Sequence, residues 1–163
     1  MRDLNHLSEI FRSYDTYVID LWGVMHNGIV LNPKAIEVVE NLSESSKKIV
    51  FLSNAPRPSS KVIEFLKKLK MQEKFLSKVV TSGEAAMEAI NKNKFGKKFY
   101  HLGPSRDQSI FETVLENKTS LDSCDFILCT GLFDEQDEDL NYYKDLLKSF
   151  TSKKLICTNP DSI

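Results

Sequence analysis

The chain has 163 residues, of which 41% are hydrophobic and 28% charged, and a net charge of −1. That length supports one good core or two small lobes, and the near-neutral balance gives no general attraction to nucleic acid or to an anionic membrane. No run approaches the roughly 18 consecutive apolar residues of a membrane span, and Met1-Arg2-Asp3-Leu4-Asn5 carries no apolar signal core, so no membrane association and a cytoplasmic location are expected. Cys124, Cys129 and Cys157 lie in apolar runs without a C-x-x-C pattern. They read as small buried hydrophobes in a reducing compartment, ahead of disulfides or a zinc site.

Apolar strand-like runs alternate with helical periodicity along the chain, the pattern of β-α-β units. Tyr17-Val18-Ile19-Asp20 reads as a buried parallel strand that ends in a carboxylate and turns through Gly23. Pro33 opens a helix with Ile36, Val38, Val39 and Leu42 on its apolar side. Lys48–Asn54 reads as a second buried strand with a polar end, followed by a turn stiffened by Pro56 and Pro58. The next helix places Val62, Ile63, Phe65, Leu66 and Leu69 inward and Lys61, Lys67, Lys68 and Lys70 outward. No aromatics interleave with these lysines, so they read as a solvated face and not as a nucleic-acid patch. A third strand, Lys78–Thr81, runs into a helix beginning near Glu84.

The rhythm then restarts. Strands are expected over Lys98–Leu102, Asp125–Thr130 and Lys154–Thr158, with helices around Ser109–Glu116 and through Leu140, Tyr143, Leu146 and Leu147. Between them lie the loop from Gly103 to Asp107 and the acidic loop from Asp134 to Asp139. A lobe boundary is placed near Ser82–Glu84.

Three strand tips in the first lobe are polar: Asp20, Ser53-Asn54 and Thr81-Ser82. Parallel strands present their carboxyl ends on one side, where α/β folds keep their ligands. A carboxylate, a hydroxyl and an amide beside a glycine turn suit an anion with a metal. An Asp at such a tip can hold a hard cation, attack a phosphoryl group, or both. Against this stands a plain reading in which Asp20 caps a turn and Ser53 begins one.

Ile19-Asp20-Leu21-Trp22-Gly23-Val24 followed by Leu52-Ser53-Asn54 resembles motifs I and II of the haloacid dehalogenase superfamily, and most closely its class IIA, which carries a large α/β cap after motif II. The turn Ser53–Pro58, Thr81-Ser82-Gly83 and Thr158-Asn159-Pro160-Asp161 fall where that class has them. Asp20 to Gly28, His101-Leu102-Gly103-Pro104 and Cys129-Thr130-Gly131-Leu132 are similar to one subgroup with Trp in motif I. The resemblance implies an α/β fold: a Rossmann-like core with a mostly parallel sheet, incomplete here, over residues 1–84. It further implies an α/β cap over 85–158 and the start of a return to the core over 159–163.

The implied activity is a Mg²⁺-dependent phosphatase acting on small phosphorylated metabolites through an aspartyl-phosphate. Asp20 would be the nucleophile and a Mg²⁺ ligand, and the Trp22 carbonyl a second ligand. Ser53 and Asn54, with the amides of Leu21 and Trp22, would hold the phosphoryl oxygens. Two departures stand out. Trp22 occupies the position where phosphatases of this kind carry an acid/base Asp, and its indole cannot shuttle a proton. His26 is the nearest titratable substitute, unless it simply holds its loop; Trp22 reads equally as an aromatic packed under the cap. The family's later lysine and acidic motifs are also missing, since the sequence stops two residues after Asp161.

The expectation is therefore the first part of a phosphatase, inactive in this form. The alternative is a catalytically impaired module that binds a phosphorylated ligand or a partner. A dinucleotide-binding domain is disfavoured, because no G-x-G-x-x-G follows the first strand. Arg57, Asn159 and Asp161 are further candidates to meet substrate, and Arg106 and the acidic loop to meet the leaving group. An uncovered apolar sheet edge would favour a homo-oligomer.

Overall fold

The computed structural model describes residues 6–133 and 139–159. The chain packs as two compact units, Met1–Ser53 with Ile63–Val80, and Asn54–Val62 with Thr81–Ile163.

In the first unit, β1 (Thr16–Asp20) pairs in parallel with β2 (Lys48–Ser53), Val18 opposite Val50 and Asp20 opposite Leu52. The strand order is β1-β2-β3, with β3 at Val79–Thr81. Between β1 and β2 runs α1 (Pro33–Glu44), started by Asn32, whose side chain accepts a hydrogen bond from the Lys34 amide, with Pro33 in the first turn. Val39 and Leu42 are its buried residues, while Val38 turns outward. α2 (Ser59–Lys68) buries Leu66 completely and leaves Lys61, Lys67 and Lys68 in solvent. A four-residue helix, α3 (Glu73–Leu76), was not expected from the sequence; it is too short to show a 3.6-residue period. Its Phe75 meets Phe51 edge to face at 6.2 Å and closes a core of Leu21, Met25, Val39, Leu42, Ile49, Phe51, Leu66 and Phe75.

The expectation that β1 is buried fails. Val18 on β1 is 62% exposed, and Leu52 and Val80 on its neighbours are exposed too. The helices of this unit cover the face formed by Ile49, Phe51 and Val79, whereas parallel sheets are ordinarily covered on both faces. β1 is also an edge strand of this sheet among the described residues.

The second unit holds a parallel sheet in the order β4-β5-β6, at Phe99–Leu102, Phe126–Cys129 and Lys154–Cys157. Central β5 is buried along Phe126, Ile127 and Leu128. Phe126 and Leu128 pack with Ala86 and Ile90 of α4 (Ser82–Asn91), Phe99, Ile110 and Phe111. Ile127 packs on the other side with Leu102, Leu121, Cys124 and Tyr143 of α5 (Leu140–Leu147).

Where one helix was expected around Ser109–Glu116, there are two 3₁₀ helices, Ser105–Ile110 and Glu112–Asn117. Val114, with φ −134°, breaks the helical path inside the second, as the adjacent β-branched residues Thr113 and Val114 favour. The cysteines are free, but only Cys124 is buried; Cys129 is half-buried and Cys157 exposed, because it lies on edge strand β6. No helix among the described residues is long and apolar enough to cross a membrane.

Candidate active site

Asp20 is the last residue of β1, and its register partner Leu52 is followed directly by Ser53 at the end of β2. Asp20 and Ser53 thus end adjacent strands, which run about 5 Å apart, at the same, carboxyl end of the parallel pair, Ser53 one residue beyond the register partner of Asp20. Asp20 is exposed, with its Oδ1 accepting the Leu21 amide at 2.8 Å, and Ser53 is buried.

The loop after Asp20 is a built structure. The Leu21 carbonyl accepts from the Met25 amide at 2.8 Å and from that of His26 at 3.2 Å, and the Gly23 amide donates to the His26 carbonyl at 2.8 Å. Asn27 Oδ1 accepts from the amides of Ile29 and Val30, at 3.0 and 2.9 Å. His26 is buried, its ring edge-on to Phe65 at 5.3 Å, and its Nδ1 accepts the Gly28 amide at 3.1 Å. That bond needs the Nδ1 lone pair, so the proton of the neutral ring sits on Nε2. Burial lowers the His26 pKa, against a smaller upward pull from Asp20.

Trp22 is 68% exposed and pairs with His26 in an isolated bridge. It is no core residue. Its carbonyl accepts no backbone hydrogen bond among the described residues.

In the second unit, Asn54 Nδ2 donates to Asn159 Oδ1 at 2.9 Å, joining residues 105 positions apart. The loop that follows Asn54 is pinned to the start of α4. Thr81 Oγ1 donates to the Arg57 carbonyl at 2.6 Å and accepts the Glu84 amide at 3.0 Å, and Ser82 Oγ donates to the Ala55 carbonyl at 3.1 Å. These two hydroxyls, expected at a ligand-facing tip, are engaged in holding the loop. Gly83 lies so close that a Cβ there would overlap the Arg57 backbone.

The Arg57 side chain, half exposed, faces Asp107 with Nε 3.8 Å from Oδ1, and Asp107 is almost completely buried. Asp107 also bonds to the Thr130 hydroxyl, whose Oγ1 is 2.9 Å from His101 Nε2. Burial raises the Asp107 pKa, while Thr130, Arg106 and Arg57 pull it down. This His101–Thr130–Asp107–Arg57 chain was missed in the sequence. His101 and Thr130 stand at the carboxyl ends of β4 and β5, so the polar-tip argument used for β1 and β2 would have found them had it been applied to the second sheet. Gly103, with φ +146°, is required here, because a side chain would overlap Thr130 Oγ1.

Asp161 and residues 134–138 of the acidic loop lie outside the described residues. Asp139 caps α5, its Oδ1 accepting the Tyr142 amide at 3.0 Å. No group of three or more His, Cys, Asp or Glu side chains able to hold a metal occurs among the described residues. Asp20 and the Trp22 carbonyl are hard oxygen donors that fit part of a Mg²⁺ shell, which accepts water for the rest.

The family model for haloacid dehalogenase-like hydrolases matches residues 17–114. The chain belongs to that family. A haloacid dehalogenase-like hydrolase from Brucella suis is 28% identical with a TM-score of 0.78, over 95% of this chain and 57% of that one. A p-nitrophenyl phosphatase from Archaeoglobus fulgidus, 21% identical over 92% and 57% of the two chains, shares the fold with a TM-score of 0.68. So does a glycerol phosphate phosphatase from Mycobacterium tuberculosis in complex with magnesium, at 20% identity, a TM-score of 0.61 and coverage of 93% and 46%. No curated protein matches the sequence significantly. The haloacid dehalogenase-like chain described here thus spans about half the length of these solved relatives.

Proposed function

We propose that this chain carries the nucleophile half of a Mg²⁺-dependent phosphatase for small phosphate monoesters, with 1–84 contributing to the core and 85–158 forming the cap. The observation that carries the reading is that Asp20 and Ser53 each end one of two adjacent parallel strands, at the same carboxyl end, inside the segment matched by the family model. Solved phosphatases with the same fold, one of them bound to magnesium, support it.

In this mechanism an Asp20 oxygen attacks phosphorus in line with the ester oxygen, which leaves as the aspartyl-phosphate forms. Water then attacks phosphorus, releasing phosphate and restoring the carboxylate. Ser53 donates its hydroxyl to the equatorial oxygens, where charge accumulates, and Asn54 assists, held by Asn159. Mg²⁺, bound by Asp20 and the Trp22 carbonyl, would neutralise charge on the phosphoryl oxygens.

Leaving-group protonation is the weak point. Trp22 cannot supply it, and His26 is kept neutral by burial and by the Gly28 amide on Nδ1. Loss of an acid costs on the order of 10²–10⁴-fold for a poor leaving group and little for an acidic one. Arg57, half exposed and facing Asp107, is a cation that would suit an anionic group of the substrate.

The second reading, a module that binds a phosphorylated ligand without turnover, is favoured by Trp22 and by the sparse set of metal donors among the described residues. One experiment separates the two. Nitrophenolate release from 4-nitrophenyl phosphate with Mg²⁺ is measured alongside vanadate binding for the chain and for Asp20→Asn and Ser53→Ala. Vanadate binding that depends on both residues, with little turnover by this chain alone, is expected. Robust Asp20-dependent turnover would remove the binding-module reading. Vanadate binding indifferent to both substitutions would remove the site.

A further inference from the structure

Cys129 and Cys157 are the terminal residues of β5 and β6 and are direct register partners in the parallel ladder. In-register residues of neighbouring strands point to the same face. Their strands run about 4.8 Å apart, inside the Cα separation of roughly 4.4–6.8 Å that a disulfide spans. The Cys157 thiol is near enough to help raise the Cys129 pKa, and Cys129 Sγ donates to the Gly131 carbonyl at 3.7 Å. The third cysteine, Cys124, is separate: it is buried and donates to the Leu121 carbonyl at 3.2 Å.

The two partners differ in a way that orders the chemistry. Cys157 is exposed, so oxidants reach it first. Cys129 is half-buried, and burial, with the neighbouring Cys157 thiol, pushes its pKa up to about 11, which protects it from direct attack.

We propose that Cys129 and Cys157 form a reversible intrachain disulfide, making the β5–β6 strand ends a thiol-based redox site. With a peroxide as oxidant, the Cys157 thiolate attacks one peroxide oxygen and becomes a sulfenic acid as hydroxide leaves. Cys129 sulfur then attacks the Cys157 sulfur; the sulfenic oxygen leaves as hydroxide and takes up the Cys129 proton. Two thiols and one peroxide give one disulfide and two waters. A small-molecule disulfide serves equally, leaving as two thiols. A crosslink through exposed Cys157 is open to attack by small thiols, which makes it reducible.

The bond would act on the candidate phosphoryl-binding loop. Thr158, next to Cys157, donates to the Cys129 carbonyl from both its amide, at 2.9 Å, and its hydroxyl, at 3.2 Å. The following Asn159 holds Asn54. The thiol chemistry itself does not depend on the proposed reaction, so it stands or falls separately from the phosphatase reading.

The test equilibrates the chain in glutathione buffers from fully reducing to fully oxidising, traps free thiols by alkylation, and reads intact mass and peptide maps. The expected result is a monomer that loses two hydrogen masses, with the link mapped to Cys129 and Cys157. Cys157→Ser, an exposed position that leaves the fold intact, abolishes the loss, and Cys124→Ser retains it. Absence of the loss across the range overturns the proposal. So does a link through Cys124, a disulfide between two chains, or a glutathione adduct at Cys157 as the end product.

Discussion

Arg57→Gln and Asp107→Asn should have opposite effects on stability, and both effects should depend on pH. Asp107 is buried, with Arg57 at 3.8 Å, the Thr130 hydroxyl bonded to it and the charge of Arg106 also acting on it. At an effective dielectric of about 20, charges at that distance attract by roughly 4 kcal/mol. The guanidinium is half exposed, so solvent screens much of this, and about 1–2 kcal/mol is the expected cost of Arg57→Gln at pH 7. For a chain of this size that lowers the melting temperature by about 2–8 °C.

The sign with pH follows from Asp107, whose pKa is raised in the folded state, mainly by burial. Between its ordinary value near 4 and the raised one, the folded protein holds a proton that the unfolded chain releases, so stability falls as pH rises through that window. Removing Arg57 raises the folded pKa further. Its cost should therefore be full at pH 7 and shrink towards pH 4. Asp107→Asn keeps an acceptor for Thr130 while removing the buried charge, and should be neutral or stabilising at pH 7, with no advantage at pH 4. Thermal melts of the two variants and their double mutant at both pH values make the measurement. An equal loss for Arg57→Gln at pH 7 and pH 4 would refute the ion-pair account.

Gly83→Ala should destabilise by about 1–3 kcal/mol, because its Cβ would overlap the Arg57 backbone and not a movable side chain; a melting temperature unchanged within 1 °C, well below the shift that cost implies, would show that the loop yields freely. Asp125 has its pKa lowered by the Lys98 and Lys97 amides it accepts, so its contribution is present above the ordinary carboxylate value and lost as pH falls through the depressed one. Asp125→Asn should accordingly flatten the acid limb of the stability curve, and an unchanged limb in acid titration by circular dichroism would exclude that role. In an active polypeptide containing this chain, Trp22→Asp should raise turnover of alkyl phosphates more than of aryl ones, since only the poorer leaving group needs a proton; equal effects in steady-state assays would remove leaving-group protonation from the account.

Much of the fold was legible because strand chemistry is local. Runs such as Lys48-Ile49-Val50-Phe51-Leu52 and Phe126-Ile127-Leu128 can hardly form anything but strands, and each was expected within a residue or two of where it lies. Their polar ends followed from the same runs, which is why Asp20 and Ser53 could be expected at one end of neighbouring strands. Burial was less legible. Tyr17-Val18-Ile19 has the apolar continuity of a strand covered on both sides, yet Val18 lies open, because burial is decided by what packs on a face and not by the strand itself. Cys157 was misjudged for the same reason: nothing in Leu155-Ile156-Cys157 announces an edge.

What the sequence hid entirely were partnerships between distant positions. Thr81 and Ser82 look like ligand-facing hydroxyls until their acceptors, the carbonyls of Arg57 and Ala55, are known. Asp107 looks like an ordinary loop carboxylate until it is found buried against Thr130 and Arg57. Each polar group at a strand tip therefore has two possible uses, holding the loop or meeting a ligand, and only its hydrogen-bond partners separate them. By that criterion Thr81, Ser82 and His26 hold structure. Asp20, exposed at the end of β1 and bonded among the described residues to the adjacent Leu21 amide, retains the freedom that a nucleophile needs.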